Sequence, residues 1–204
     1  MTLLHEHIKT SIDTSQHCQR NWDLSKSVSQ EDLDLMIHAA TQCPSKQNYA
    51  YYRVHVITDR LIIEAIHDSS SGYITADDKI LTNSQCLANV LFAFEIIDPS
   101  DNRKSHNERR ENKNNDLIIR DSHIAMNIAT GYLNLTAHML GYYTGYCQCF
   151  DSDIVNEILN SDNILVLLGV GHNNPNLDRK IHHVNKDDVY ASFTKEVIDV
   201  RYYK

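Results

Sequence analysis

Two cysteines one residue apart, Cys147 and Cys149, and a histidine pair, His182 and His183, are residues whose types suggest thiol or metal chemistry. The usual redox-active dithiol is spaced Cys-x-x-Cys, and a zinc site needs two further ligands at interpretable spacing, which the histidine pair alone does not supply. Neither chemistry is expected. His138 lies within a long apolar run and reads as a structural histidine rather than a ligand. Arg103, Lys104, Arg109, Arg110 and Lys113 are interspersed with acids and asparagines, which describes a solvated loop rather than a phosphate grip. The six glycines form neither GxGxxG nor GxxxxGK[ST], so the two common nucleotide-binding fingerprints are missing.

These groups must be positioned by a chain of 204 residues, enough for one core of ordinary size. The 19 basic and 27 acidic residues give a formal charge of −8, which argues against a broad nucleic-acid surface. No window approaches the roughly 20 apolar residues of a membrane span, and the start is too polar for a signal peptide, so a soluble, cytoplasmic protein is expected. Five cysteines at irregular spacing argue for free thiols rather than a disulfide framework.

Residues 3–15 space Leu3, Leu4, Ile8 and Ile12 like a short amphipathic helix that leads to Gln16-His17-Cys18-Gln19-Arg20. Ser29 reads as the N-cap of a second helix, with acids in its first turn and Pro44 beyond its end. RVHVIT predicts a strand and DRLIIEAIHDS a helix. The apolar run from Leu87 to Ile97 predicts a central strand buried on both faces. Residues 101–116 have no apolar side chain and read as a mobile loop. From Asp121 a long run predicts a core helix enclosed by other elements and closed by Gly141. A Gly/Tyr-rich turn, a helix near 152–159 and a buried strand at NILVLLGVG follow, and the tail from Asp187 to Lys204 carries an apolar face that needs a partner surface.

Four stretches, in this order, resemble the FMN-dependent nitroreductases: QHCQRNWDLSKSVSQEDLDLMIHAATQCPSKQN, TNSQCLANVLFAF, the long helix running into GYYTGYCQCFD, and LLGVGHNNPNLDRK. The resemblance covers most of residues 3–185. It implies an α+β fold, a nitroreductase-like three-layer α/β/α sandwich with a mostly antiparallel central sheet, in an intertwined homodimer. Residues 1–204 would form a single domain whose arm, 187–204, packs on the partner subunit.

The same resemblance implies a flavin site. Gln16, His17, Cys18 and Arg20 occupy the segment that contacts the phosphate, ribityl chain and ring, with Arg20 near the flavin N1 and C2 carbonyl. Family members usually carry Arg-x-Ser-x-Arg or Lys there, so Gln16 and Cys18 supply weaker groups unless Arg179 and Lys180 compensate. Pro44, Ser45 and Asn48 match a turn that contacts the flavin held mainly by the other subunit. Asn83 matches an amide that pairs with the pyrimidine edge, and Gln148 and Cys149 match the main-chain donors toward N5 and O4. No side chain is assigned as acid, base or nucleophile.

The implied reaction is ping-pong transfer of two electrons from NADH or NADPH, through FMN, to a small flat acceptor such as a nitroaromatic or quinone. Tyr51, Tyr52, Tyr142, Tyr143 and Tyr146 are candidate cavity walls, although core or interface packing is the commoner role for each. Related proteins also carry out dehalogenation, ring oxidation or flavin breakdown, and the changes at Gln16 and Cys18 leave open a degenerate flavin-binding dimer.

Overall fold

The structure is a computed structural model; it describes residues 2–71, 73–74, 80–97, 115–181 and 194–203. The first helix, α1 (Leu3–Ser15), is capped by Thr2, whose hydroxyl accepts from His5 N. α2 (Gln30–Thr41) begins at Ser29, whose hydroxyl accepts from Asp32 N, and stops three residues before Pro44. A 3-10 turn, Lys46–Asn48, leads to β1 (Tyr52–Ile57), and Asp59 caps α3 (Arg60–Asp68). A short hairpin pairs β2 (Tyr73–Ile74) with β3 (Ile80–Leu81). After a 3-10 turn, Ser84–Cys86, come β4 (Val90–Ile96), α4 (Asn115–Met139), β5 (Tyr143–Cys147), α5 (Ser152–Leu159) and β6 (Ile164–Gly171).

The main sheet has the order β1-β4-β6-β5, with every pairing antiparallel. Strand alternation splits the core into two halves. Val90, Phe92 and Phe94 pair with Val170, Leu168 and Val166, and together they meet Leu33 and Met36 of α2 and Met126, Ala129 and Leu133 of α4. Leu91, Ala93 and Leu167 face the other way, onto Ile63 and Ile66 of α3 and Val155 of α5. Three layers result. A bulge between Phe94 and Glu95 puts Leu165 and Val166 on the same face, so Ile164 reaches the α3/α5 side.

β4 is fully buried over its first six residues, as a central strand should be. It starts three residues after the apolar run begins because residues 87–89 bend from the 84–86 turn into the strand. The stretch expected to be a Gly/Tyr-rich turn is strand β5. Its glycine faces a glycine of β6, Gly145 opposite Gly169, and the pair leaves a bare strip of sheet. A Cβ on Gly145 would lie 2.7 Å from the carbonyl oxygen of Gln19, and one on Gly169 would collide with that of Gln85. Two backbone segments use this strip to lie directly on the strands.

α4 begins at Asn115, six residues before the expected start, so 115 and 116 are helical rather than loop. The remainder of the charged loop, 101–114, lies outside the described residues. α4 is also less enclosed than expected: Ile119, Ile124 and Tyr132 are about half exposed. Gly141, at φ 85°, ends it, with Tyr142 N donating to Ala137 O at 2.9 Å. Of the C-terminal arm, residues 194–203 are described; they form no helix or strand, and Val197, Val200, Tyr202 and Tyr203 are exposed.

Candidate functional site

α1 delivers residues 16–20 by a polar docking onto the C-terminal end of α4. Asn134 Nδ2 donates to Ser15 O at 3.1 Å, and Ser11 Oγ donates to His7 O at 2.9 Å while lying 3.5 Å from His138 O. His138 stands between two hydroxyls, Thr14 Oγ1 at 3.0 Å on Nδ1 and Thr144 Oγ1 at 3.1 Å on Nε2. Thr144 spends its own proton on Asn134 Oδ1, so Nε2 carries the histidine proton. Burial, helped by the nearby His17, pushes the His138 pKa down to about 4. His138 is therefore a neutral core histidine at pH 7, consistent with the structural role read from the sequence.

Gln19 then seats the segment. Its N–H donates to Thr144 O at 2.7 Å, and its side-chain oxygen accepts from Arg20 N at 3.0 Å and Asn21 N at 3.2 Å. Arg20 N also lies 3.2 Å from Arg179 O, and Arg179 Nη1 donates to Cys18 O at 3.3 Å. Lys180 follows, its N–H on Asp178 Oδ1 at 2.9 Å and its ammonium 4.0 Å from the same carboxylate. Cys18 and Arg20 are thus held beside Arg179, with Lys180 next in the chain, a cation-bearing patch built from segments far apart in the sequence. Gln16 and His17 are exposed at its margin, and Gln16 Nε2 is turned back to Asp13 O at 3.0 Å, completing the end of α1.

The patch borders the end of β5. Asn83 is buried; its Oδ1 accepts from Gln85 N at 3.3 Å and its Nδ2 donates to Cys147 Sγ at 3.1 Å. The amide thus caps the 84–86 turn and ties it to β5. The Arg20 charge reaches the same sulfur and favours its thiolate. Gln148 and Cys149, just beyond, are exposed. Gln19, Cys86 and Thr144 belong to this cluster although the sequence reading did not single them out. The glycines at 145 and 169 were the visible signal that backbone comes close there.

Pro44, Ser45 and Asn48 are elsewhere. Ser45 Oγ donates to Tyr49 O at 2.7 Å, and Lys46 Nζ meets the buried Asp121 at 2.6 Å. Gln47 and Asn48 both have left-handed backbones, φ 57° and 56°, a conformation that asparagine adopts readily and that costs Gln47 about 1–2 kcal/mol. Backbone strain of this kind concentrates at ligand clamps. The turn borders a cavity of about 550 Å³ that includes Cys43, Ser45, Asn48, Tyr49 and Tyr52. Its anchor Asp121 and the patch's anchor Asn134 are 13 residues apart on α4, about 20 Å of helix. The two groups are thus tied to different stretches of α4.

The tyrosines divide. Tyr51 is buried, Tyr142 donates to Asp32 Oδ2 at 2.7 Å, and Tyr143 packs on the core cluster around Trp22, so these three are structural; Tyr52 lines the cavity, and Tyr146 lies half-buried on β5. His182 and His183 lie outside the described residues. Among the described residues, no three histidines, cysteines or acids are placed to hold a metal, and no helix is long and apolar enough to cross a membrane.

A model of the nitroreductase family matches residues 14–172. A solved structure from Staphylococcus epidermidis, assigned as an NAD(P)H:FMN oxidoreductase, superposes with a TM-score of 0.68 at 15% identity, covering 96% of this chain and 95% of that one. One from Bacillus subtilis, assigned as a nitroreductase, gives 0.69 at 12% identity over 97% and 100% of the two chains. A third, from Exiguobacterium sibiricum, assigned as a nitroreductase and solved in complex with FMN, gives 0.69 at 17% identity over 100% and 98%. The comparison with curated protein sequences gives no match.

Proposed function

The chain belongs to the nitroreductase family, and from that premise we propose that it is an FMN-dependent oxidoreductase working as a homodimer. NADH or NADPH would be the electron donor and a small flat acceptor, a nitroaromatic or quinone, the recipient. The observation that carries this reading is the placement of Arg20 beside Arg179, with Lys180 next in the chain, and the reach of the Arg20 charge to Cys147 at the end of β5. A phosphomonoester of nearly two negative charges needs such a set of fixed cations, and the donors present fit it.

In this reading Arg179 and Lys180 hold the phosphate, and Arg20 places a permanent charge at the ring edge where reduction adds electron density. Asn83, Gln148 and Cys149 border the ring. The bound flavin supplies two-electron chemistry that no side chain here can perform. The protein's part is to orient the ring, fix charge beside it and leave one face open to two flat substrates in turn.

Two observations support a dimer. The turn at 45–48 is tied to Asp121 and the segment leading to Arg20 to Asn134, about 20 Å apart along α4, which fits a site completed by a second copy. Apolar side chains of α1 and α4 (Leu3, Leu4, Ile12, Ile119 and Ile124) are exposed in one chain, and so is the arm at 194–203. We take the whole chain as one domain whose arm reaches the partner.

The bond from Gln16 to Asp13 favours a second reading, since this side chain serves the helix end and brings no charge. A member that binds FMN loosely, with altered or little turnover, would look the same. The absorption spectrum decides. Purified protein showing flavin bands that bleach anaerobically on adding NADH or NADPH supports the reductase; bands without bleaching support the second reading; a colourless protein that takes up no FMN refutes both.

A further inference from the structure

Asp121 is an acid on the inward side of α4: it is buried, and so are Ser122, Ala125 and Met126 near it on the helix. Both of its oxygens are held from the surface, Oδ2 by Lys46 Nζ at 2.6 Å and Oδ1 by Arg120 Nη2 at 3.2 Å. Despite its burial, these two donors keep the carboxyl below the usual carboxylate range. Taking a carboxylate out of water costs free energy that its partners only offset, so a buried ion pair is weak evidence of added stability. Here it fixes a position.

The segment that it fixes needs a hold. Ser45 Oγ donates to Tyr49 O at 2.7 Å, Asn48 N to Ser45 O at 3.2 Å and Tyr49 N to Lys46 O at 3.3 Å, bonds that close the turn on itself. Inside it Gln47 takes φ 57° and ψ 19°, a left-handed backbone that glutamine does not favour. Such a conformation persists where the surrounding structure over-determines it. Lys46, the residue just before Gln47, ties the turn to a helix of 25 residues.

We propose that Asp121 is a positioning residue for the flavin site: through Lys46 it holds Gln47 left-handed and so sets where Ser45 and Asn48 stand. This role rests on the flavin reading above, in which that turn completes the crevice around the ring. Ser45 and Asn48 also border the 550 Å³ cavity, so a displaced turn reshapes its wall. Lys46 spends its charge on Asp121, and the pair therefore contributes geometry rather than a free cation.

The test compares full-length wild-type protein with Asp121→Asn, Lys46→Met and the double change Asp121→Asn/Gln47→Gly. Trypsin cleavage after Lys46, mapped by mass spectrometry without flavin, reads the tether: Asp121→Asn should be cut there about tenfold faster than wild type. Fluorescence titration with FMN reads its purpose. The dissociation constant should rise about 5- to 30-fold in both single variants, the cost of one left-handed residue expressed as affinity. Adding Gln47→Gly should bring the Asp121→Asn value back toward wild type, because glycine takes this conformation freely. An ion pair that merely stabilised the fold would gain nothing from that change. Lys46 is 43% exposed, so the Lys46→Met titration decides where Asp121→Asn fails to fold. Unchanged cutting in Asp121→Asn, unchanged affinity in both single variants, or no recovery with Gln47→Gly overturns the role while the flavin reading stands. Wild-type protein that takes up no FMN sinks the flavin reading itself, and this role with it.

Discussion

The main-chain N–H of Arg20 lies 3.2 Å from the main-chain oxygen of Arg179, which fixes two guanidinium-bearing residues side by side. Gln19 locks the arrangement from below by accepting from Arg20 N and donating to Thr144 O. Backbone bonds, rather than side-chain packing, set the spacing of the cations. Arg20→Ala should therefore leave the segment in place and remove only its charge.

For that variant the expected outcome is an FMN dissociation constant raised about 10- to 100-fold, the equivalent of one charge-assisted hydrogen bond. The bound flavin should also be harder to reduce, by about 30 mV, or roughly 1.4 kcal/mol for a two-electron couple. Fluorescence titration and potentiometry check the two. Full occupancy with an unchanged potential would remove Arg20 from the site.

Gly145→Ala tests the seat beneath it. The new methyl would meet Gln19 O at 2.7 Å and Gln85 Cβ at 2.9 Å, contacts that only a backbone shift can relieve. A stability loss of about 1–3 kcal/mol in urea unfolding is expected. FMN affinity should fall too, although residue 145 offers no side chain to the ligand. Wild-type stability in this variant would mean that the two segments are not in contact.

His138 predicts an acid sensitivity. Its pKa is about 4 in the folded protein against about 6.5 when unfolded, so between these values the unfolded chain binds the proton and the folded one does not. Stability is then complete above pH 6.5 and falls as the pH drops toward 4, by about 3 kcal/mol in total. Urea titrations from pH 4 to 8 should show this slope in the wild type and a flatter one in His138→Gln. Equal slopes would show that His138 already carries its proton in the fold.

Removal of residues 194–204 probes the arm. We expect dissociation toward monomers in light scattering and a loss of FMN retention, because the proposed site draws its second half from the other copy. A truncated chain that stays dimeric and yellow would assign the arm no part in assembly.

Much of the architecture was legible because local rules decided it. Ser29 with acids behind it announced α2, and uninterrupted apolar residues marked β4. β5 was misread as a turn because Gly145 is a turn signal in isolation; its meaning as a bare strip depends on Gly169 opposite and Gln19 above, neither local. The start of α4 was missed because its first residues are polar, and polar residues are welcome on the open side of a helix. Within the site, Arg20 and Arg179 meet through a main-chain bond that no local signal announces.

The separation of the strained turn from the cationic patch along α4 has a genetic consequence. In a dimer built by exchange, one chain altered at Arg20 and another altered at Asn48 are each defective alone, yet their mixed pair contains one fully wild-type crevice beside one doubly damaged one. Co-expression of two such alleles should restore part of the lost flavin binding, whereas placing both changes in a single allele should restore none.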